Sequence, residues 1–329
     1  MKMEMINVIK TFIFIVLPIS ICGACVEEKG FDSDNVDVEI TDKYEHMPIG
    51  YSVPLSRVTS EKMEYAKSVG IDYIEVGGMS VLIDGLYNFT KTDNEIQQMM
   101  HSAKKAANDA GIEIWSIHMP FGKEIDLSII DDNERKRVVE GHSKLLEFLE
   151  ILEPKIILFH PSYYLEPANQ RELRKFKFIQ SATELDIKVR SIGSTMVVEN
   201  MLGDELMVGQ RERPLMRTVE ETVELFNKLP KTIYSAVDMN HIRNPERLIR
   251  AMGNRMMSVH IADGKGVSEN HWLPCTGEGD NNWNDIISAM YDVGYSGPFL
   301  YECEYNDEKD LVDCYNSLFN SFIKTSYKK

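Results

Sequence analysis

TIYSAVDMNHIRNPERLIRAMGNRMMSVHIA, residues 232–262, reads as strand, helix, strand. TIYSAVD (232–238) and MMSVHIA (256–262) are short and largely apolar, β-branched or aromatic, as parallel strands buried on both faces must be. Between them Asn244-Pro245 puts a capping residue before a proline at the first helical position. The same alternation runs outward in both directions. IGYSVPL (49–55), IDYIEVG (71–77), IEIWSIH (112–118), KIILFH (155–160) and TMVVEN (195–200) precede it as strand candidates, and PFLYECE (298–304) follows. Thr92-Asp93-Asn94-Glu95 and Thr218-Val219-Glu220-Glu221 read as capping boxes that open helices. Asp131 starts a helical run to Leu152, and a last helix spans Glu308 to Ile323. Gly70, Gly111 and Gly294 stand just before strands, where a helix end needs a left-handed residue. Eight strand–helix units over about 280 residues predict a (β/α)8 TIM barrel, a fold of roughly 250 residues. An open doubly wound sheet would place a Gly-rich phosphate turn after its first strand; VPLSRVTS stands there instead.

The N-terminal 46 residues are of a different kind. Lys2 and Lys10 accompany a short apolar run, Thr11–Ile21, shorter than the roughly 20 residues of a membrane span. Gly23, Ala24 and Cys25 follow. This resembles a bacterial lipoprotein signal, in which the cysteine receives lipid and becomes the first mature residue. Cys22 departs from the pattern, where leucine is usual. A plain secretory signal or an uncleaved anchor is the alternative. Residues 26–46 are acidic and polar and read as a flexible tether, so the domain is expected over 47–329 and outside the cytoplasm. Of five cysteines, Cys275, Cys303 and Cys314 fall in the domain. They form neither an even framework nor a CxxC pair, so neither a disulfide scaffold nor a zinc ribbon is expected.

Hydrophobic residues make up 43% of the 329-residue chain and charged residues 27%, with a net charge of −16. That balance opposes nucleic-acid binding, which draws on lysine and arginine to displace counterions from phosphate.

Polar residues collect at the strand ends. His118 ends strand three, His160 strand four, Glu199 strand five and Asp238 strand six; His241 follows in DMNH. His260 lies in strand seven, His271 in the loop after it, Glu302 ends strand eight, and Glu75 sits near the end of strand two. All C-terminal strand ends of a barrel face one opening. One strand-end histidine is ordinarily structural, and one strand-end glutamate is ordinarily solvated. Several carboxylates in one mouth repel each other unless a cation compensates them. Mixed carboxylate and imidazole ligation suits Mn, Co, Zn or Mg.

Glu199 on strand five, Asp238-x-x-His241 on strand six, His260 on strand seven and Glu302 on strand eight resemble the xylose isomerase-like barrels, which include ketose 3-epimerases and endonuclease IV. TGEGDNNWNDIISAMYDVGYSGPFLYECE (276–304) is similar to the family's Gly-x-Gly, Trp, Gly-Tyr-x-Gly and terminal Glu pattern. The resemblance spans roughly Pro48 to Ser321. It implies a divalent metal on Glu199, Asp238, His260 and Glu302, with Glu199 and Glu302 as an acid–base pair on a ketose. It places His118 and His241 on substrate oxygens. His118 and His160, with Glu269-Asn270-His271 where an Asp-x-His would stand, resemble the larger cluster of endonuclease IV, which leaves a site for more than one ion open. DNA repair is disfavoured by the charge and the export signal.

The expected function is a metal-dependent sugar isomerase or epimerase. The alternatives are a lyase or hydrolase on oxidised sugars or glycosides, or a sugar-binding lipoprotein without turnover. Asp263 and Lys265 in ADGKG are read as a surface turn rather than substrate contacts. The 201–216 loop, with Arg211 and Arg213, is expected to set specificity. Along strand eight, Glu302 is expected to face the mouth and Glu304 to reach the rim.

Overall fold

The computed structural model describes residues 44–326; the expected signal and most of the tether lie outside them. Among the described residues, and apart from a two-residue antiparallel pair (Met207–Val208 with Arg211–Glu212) in the loop after the fifth strand, eight strands of one sheet alternate with eight α-helices in chain order. They are β1 (Ile49–Pro54), α1 (Ser60–Val69), β2 (Tyr73–Gly77), α2 (Asp93–Ala110), β3 (Glu113–His118), α3 (Asp132–Leu149), β4 (Ile156–Phe159) and α4 (Arg171–Ser191). The second half adds β5 (Thr195–Glu199), α5 (Val219–Lys228), β6 (Tyr234–Asp238), α6 (Pro245–Met252), β7 (Met256–His260), α7 (Trp283–Asp292), β8 (Phe299–Tyr301) and α8 (Glu308–Ser326). The strands pair in parallel in the order β8-β1-β2-β3-β4-β5-β6-β7. A parallel bridge between Ile261 and Tyr301 closes the ring, with Ile261 N donating to Leu300 O and Glu302 N to Ile261 O. The fold is a (β/α)8 barrel, as the sequence predicts.

Two apolar layers hold it. A large one lies between strands and helices, and a small one fills the lumen with Trp115, Ile156, Leu158, Val197, Ala236 and Leu300. Side chains alternate along a strand, so the residue two beyond a lumen residue also points inward. That period carries Leu158 to His160, Val197 to Glu199, Ala236 to Asp238 and Leu300 to Glu302. The apolar plug thus ends in a ring of polar groups.

Local signals hold in part. Thr92 forms a full capping box with Glu95, and Asp131 caps α3 through the Asn133 and Glu134 amides. Thr218 caps the Glu221 amide, but the return half of its box is missing because the Glu221 carboxylate binds the Arg171 guanidinium. Asn244 precedes Pro245 in a left-handed conformation and makes no side-chain cap bond. Gly70 and Gly111 end their helices at positive φ, as expected.

Tyr44 packs on Tyr291 and Phe322, and His46 on Phe319. The last residues of the stretch read as tether are therefore packed against the domain. A second departure is covalent. Cys275, after β7, forms a disulfide with Cys314 on α8, and Cys303 stays free. Three cysteines in sequence do not say which two meet. No helix among the described residues is long and apolar enough to cross a membrane.

Candidate active site

The ring of polar groups at the strand ends closes into three adjoining clusters. In the first, His118, His160 and Glu199 converge. The two Nε2 atoms lie 3.2 Å apart, and both approach Glu199 Oε2, at 3.6 and 3.2 Å. In the second, His260 Nδ1 faces Glu199 Oε1 at 2.9 Å, Glu302 Oε2 at 2.7 Å and Asp238 Oδ2 at 3.8 Å. In the third, Glu269 Oε2 lies 2.9 Å from His241 Nε2 and 3.1 Å from His271 Nε2. Each set holds ligand atoms within 4.8 Å of one another.

Hydrogen bonds fix which atoms face inward. The Nδ1 atoms of His118, His241 and His271 donate to the carbonyls of Met119, Asn200 and Glu302 at 3.0, 3.0 and 2.8 Å. That leaves each Nε2 aimed at the cluster. A metal-bound histidine is oriented in this way, by a backbone carbonyl on its other nitrogen. Asp238 is oriented too: its Oδ1 accepts from the Asn240 and His241 amides, and Asn200 brackets its backbone.

Protons alone do not satisfy the arrangement. A single Nδ1–H of His260 cannot donate to three carboxylates, and with its Nδ1–H given to Met119 O a neutral His118 turns an Nε2 lone pair toward Glu199 Oε2. Buried oxygens Glu75 Oε1, Glu199 Oε2 and Asp238 Oδ2 lack a hydrogen bond of good geometry. A buried unpaired carboxylate oxygen is costly, and a coordinated cation removes that cost. The donor set therefore fits a divalent metal, and the three clusters fit more than one ion.

The electrostatics run the same way. Burial alone pulls the His118 imidazole down, but Glu199, Glu75 and Glu302 outweigh it and lift it to about 9. Burial pulls His271 down as well; Glu269, Asp238 and Glu302 raise it to about 9. Burial pushes Asp238 up to about 7, with Glu199 adding to the shift and His241 opposing it. Glu302 is held at about 2 by His260 against the effect of burial. The carboxylates thus draw positive charge onto the mouth, and a bound metal would provide it without protons.

Glu75 lies deeper. Ser116 donates to its Oε2 at 2.7 Å, and His260 Nε2 stands 3.2 Å away. It anchors the far nitrogen of His260. Glu304 is exposed while Glu302 faces His260, so the two diverge in the expected sense. A cavity of about 270 Å³ opens onto the clusters, walled by Phe121, Tyr163, Tyr164, Met201, Leu202 and Pro214. Phe121 stacks on His160 at 4.1 Å while leaving 57% of its surface in solvent.

Several sequence expectations change. Asp263 is not a surface residue. It is buried and accepts from Trp283 Nε1, Gly264 N and Asn281 N, pinning the loop before α7. A Cβ on Gly279 would fall 2.0 Å from its Oδ1, which explains the glycine. Lys265 is exposed, over the Trp272 ring. Arg213, within the 201–216 loop, is buried against Gly203 and donates to Val267 O. Arg211 packs over the Tyr164 ring and reaches Glu166. Neither arginine lines the cavity. Glu269 is the residue whose importance the sequence understates. Asn240 holds its loop by accepting from the Asn270 and His271 amides. The visible signal is the pairing of Glu269-Asn270-His271 with Asp238-Met239-Asn240-His241.

Residues 63–316 match the xylose isomerase-like TIM barrel family, and the chain belongs to it. Among solved structures the fold is similar to that of a D-tagatose 3-epimerase-like protein, at TM-score 0.64 and 19% identity, covering 84% of this chain and 98% of that one. It is also similar to 3-keto-D-glucoside 4-epimerase from E. coli, at TM-score 0.63 and 16% identity over 84% and 100% of the two chains. An L-ribulose 3-epimerase superposes at TM-score 0.65 with 15% identity, over 86% and 96%. Among curated protein sequences none matches this chain.

Proposed function

We propose that the protein is a divalent-metal-dependent sugar isomerase or epimerase that moves a proton on the carbon beside a ketone. The observation that carries this reading is the meeting of Glu199 and Glu302, from β5 and β8, on one nitrogen of His260. Two carboxylates brought to one point from separate strands suit removal of a proton from one face of a carbon and its return to the other. A divalent metal, when bound, polarises a ketone and makes the neighbouring C–H acidic. Glu199, Asp238, His260 and Glu302 would hold it. Glu199 then accepts the proton, and Glu302 delivers one to the opposite face. His118 and His241 orient the neighbouring hydroxyls, and the walls of Met201, Leu202 and Pro214 keep water from the reacting carbon. Solved structures of this fold that carry epimerase names support the reading.

The test is exchange in D2O. Metal-free protein is loaded with Mn, Co, Zn or Mg and incubated with ketohexoses, followed by NMR. Deuterium entering an unchanged carbon skeleton supports the proposal. Protein that binds none of these ions, or exchanges no proton when loaded, sinks it.

A second reading has its own observation. The His118–His160–Glu199 and His241–Glu269–His271 clusters flank the first, and sites with several ions activate water for displacement. That arrangement favours a lyase or hydrolase on oxidised sugars or glycosides. In the same NMR experiment, loss of a substituent from the sugar identifies it. Binding without either change identifies a sugar-binding protein.

We also propose export and lipid attachment at Cys25. The Cys275–Cys314 bond supports an oxidising compartment. Labelled palmitate entering the protein, and not its Cys25→Ala variant, is the expected result; equal labelling refutes it.

A further inference from the structure

The mouth of the barrel has a second hollow. It lies on the β1 and β8 side and measures about 710 Å³. The first, at about 270 Å³, is at the small end for ligand pockets, roughly 300–1,000 Å³. A site for one small sugar leaves the larger hollow without an occupant.

The two hollows are neighbours through a thin wall. His271 and Glu302 line the first; the next residues along the chain, Trp272 and Cys303, line the second. The wall is pinned by His271 Nδ1 donating to Glu302 O and Glu304 N donating to His271 O, both 2.8 Å. The second hollow also reaches the barrel axis. Ser52, in its lining, is the β1 partner of Glu75 on β2. Parallel partners point to the same face, so Ser52 points inward beside Glu75. Gly77 stands between Ser52 and His118: a Cβ there would lie 3.7 Å from His118 Cβ and 4.0 Å from Ser52 Oγ. No side chain fills that gap.

The lining is that of a polyhydroxylated guest. Arg57 is exposed, and among the described residues no hydrogen bond or ion pair engages its side chain. Its fork of donors suits a pair of adjacent oxygens. Asn306 offers an amide, with donor and acceptor together. Trp272 is half-buried, with Lys265 over one face of its ring, and the other face is an aromatic surface of the kind that suits the C–H face of a sugar ring.

We propose that this hollow is a second sugar subsite and that the substrate is a two-unit saccharide. Its keto unit reacts in the first hollow, and its second ring lies against Arg57 and Trp272, with the glycosidic bond crossing the Glu302–Cys303 wall. This rests on the sugar reading above.

Calorimetric titration of the Mn-loaded full chain tests it. The probes are D-fructose and the glucosyl-fructoses turanose, maltulose, leucrose and isomaltulose, which differ only in linkage. At least one disaccharide should bind about tenfold more tightly than fructose. Arg57→Ala should remove that advantage while fructose affinity stays within about twofold, a difference under 1 kcal/mol. Fructose binding with no gain from any disaccharide overturns the subsite and leaves the isomerase reading standing. So does a gain that survives in Arg57→Ala. If neither fructose nor any disaccharide binds, the sugar reading itself falls, and the subsite with it.

Discussion

His142 gives the most direct test of the fold's electrostatics. It lies on α3, 1% exposed, behind β4. Its Nε2 donates to Ile125 O at 3.4 Å, so Nδ1 is the acceptor for the Tyr87 hydroxyl at 2.8 Å. Protonating Nδ1 takes away that acceptor and buries a charge. Burial accordingly pulls its pKa from 6.5 to about 4, with only the Ile125 carbonyl opposing. A histidine depressed in this way contributes stability that is present above its unfolded pKa and lost as pH falls through its folded pKa. The full gap corresponds to about 3 kcal/mol, of which about 2 kcal/mol is gone by pH 5. His142→Gln has no charge to gain, and its amide retains a partner for Tyr87. Urea unfolding of both proteins at pH 8 and pH 5 isolates the effect, since every other titrating group is common to both. Wild type should lose about 2 kcal/mol more than the variant over that interval. Equal losses would refute the assigned tautomer and the cost of charging this site.

The remaining predictions concern packing, covalent closure and the mouth. Gly141→Ala should destabilise by about 1–3 kcal/mol despite the better helix propensity of alanine, because its Cβ would sit 2.8 Å from the Tyr87 ring; thermal melts at fixed pH check this, and an unchanged or raised Tm contradicts it. Cys275→Ser/Cys314→Ser opens a closure with a sequence separation of 39 residues. It should cost about 4 kcal/mol in urea unfolding; identical curves for wild type with and without reductant would argue against it. Glu302→Gln should weaken Mn binding by about 100-fold in equilibrium dialysis and abolish proton exchange, whereas a variant with full exchange would remove Glu302 from the acid pair.

The barrel was legible because its signals are local and repeated. Six of the eight strands, runs of three to six residues, end at or just before a polar group (His118, His160, Glu199, Asp238, His260 and Glu302), and period two places that group inward beyond a lumen residue. His260 and Glu302 were readable for this reason. Glu75 was only half readable. Its bond to Ser116 depends on a register shift between Ile74 and Glu75, which sets Ser116 rather than Trp115 opposite it. No residue pattern marks such a shift. Contacts between distant segments were hidden in the same way. Glu221 looked like the return half of a capping box, but Arg171, fifty residues earlier, takes its carboxylate. Asp263 looked like a turn residue until Trp283 and Asn281 folded over it. Glu269 lies in a loop, where no periodicity tells a reader which way a side chain points.

The ring of candidate ligands is graded in depth, and depth becomes time. Glu199 and His260 are sealed from solvent, while Glu302 is 26% and Glu269 50% exposed. An ion between Glu199 and His260 leaves only when packed strand ends part. One held by Glu269 and His271 leaves when a single loop lifts, because both sit on that loop and only His241 stays behind, anchored to the Asn200 carbonyl. Ions in these clusters would exchange with the surroundings in sequence, the outermost within the life of one encounter and the innermost on the timescale of barrel breathing. A protein prepared in a chelator would then carry a history, emptied from the rim inward.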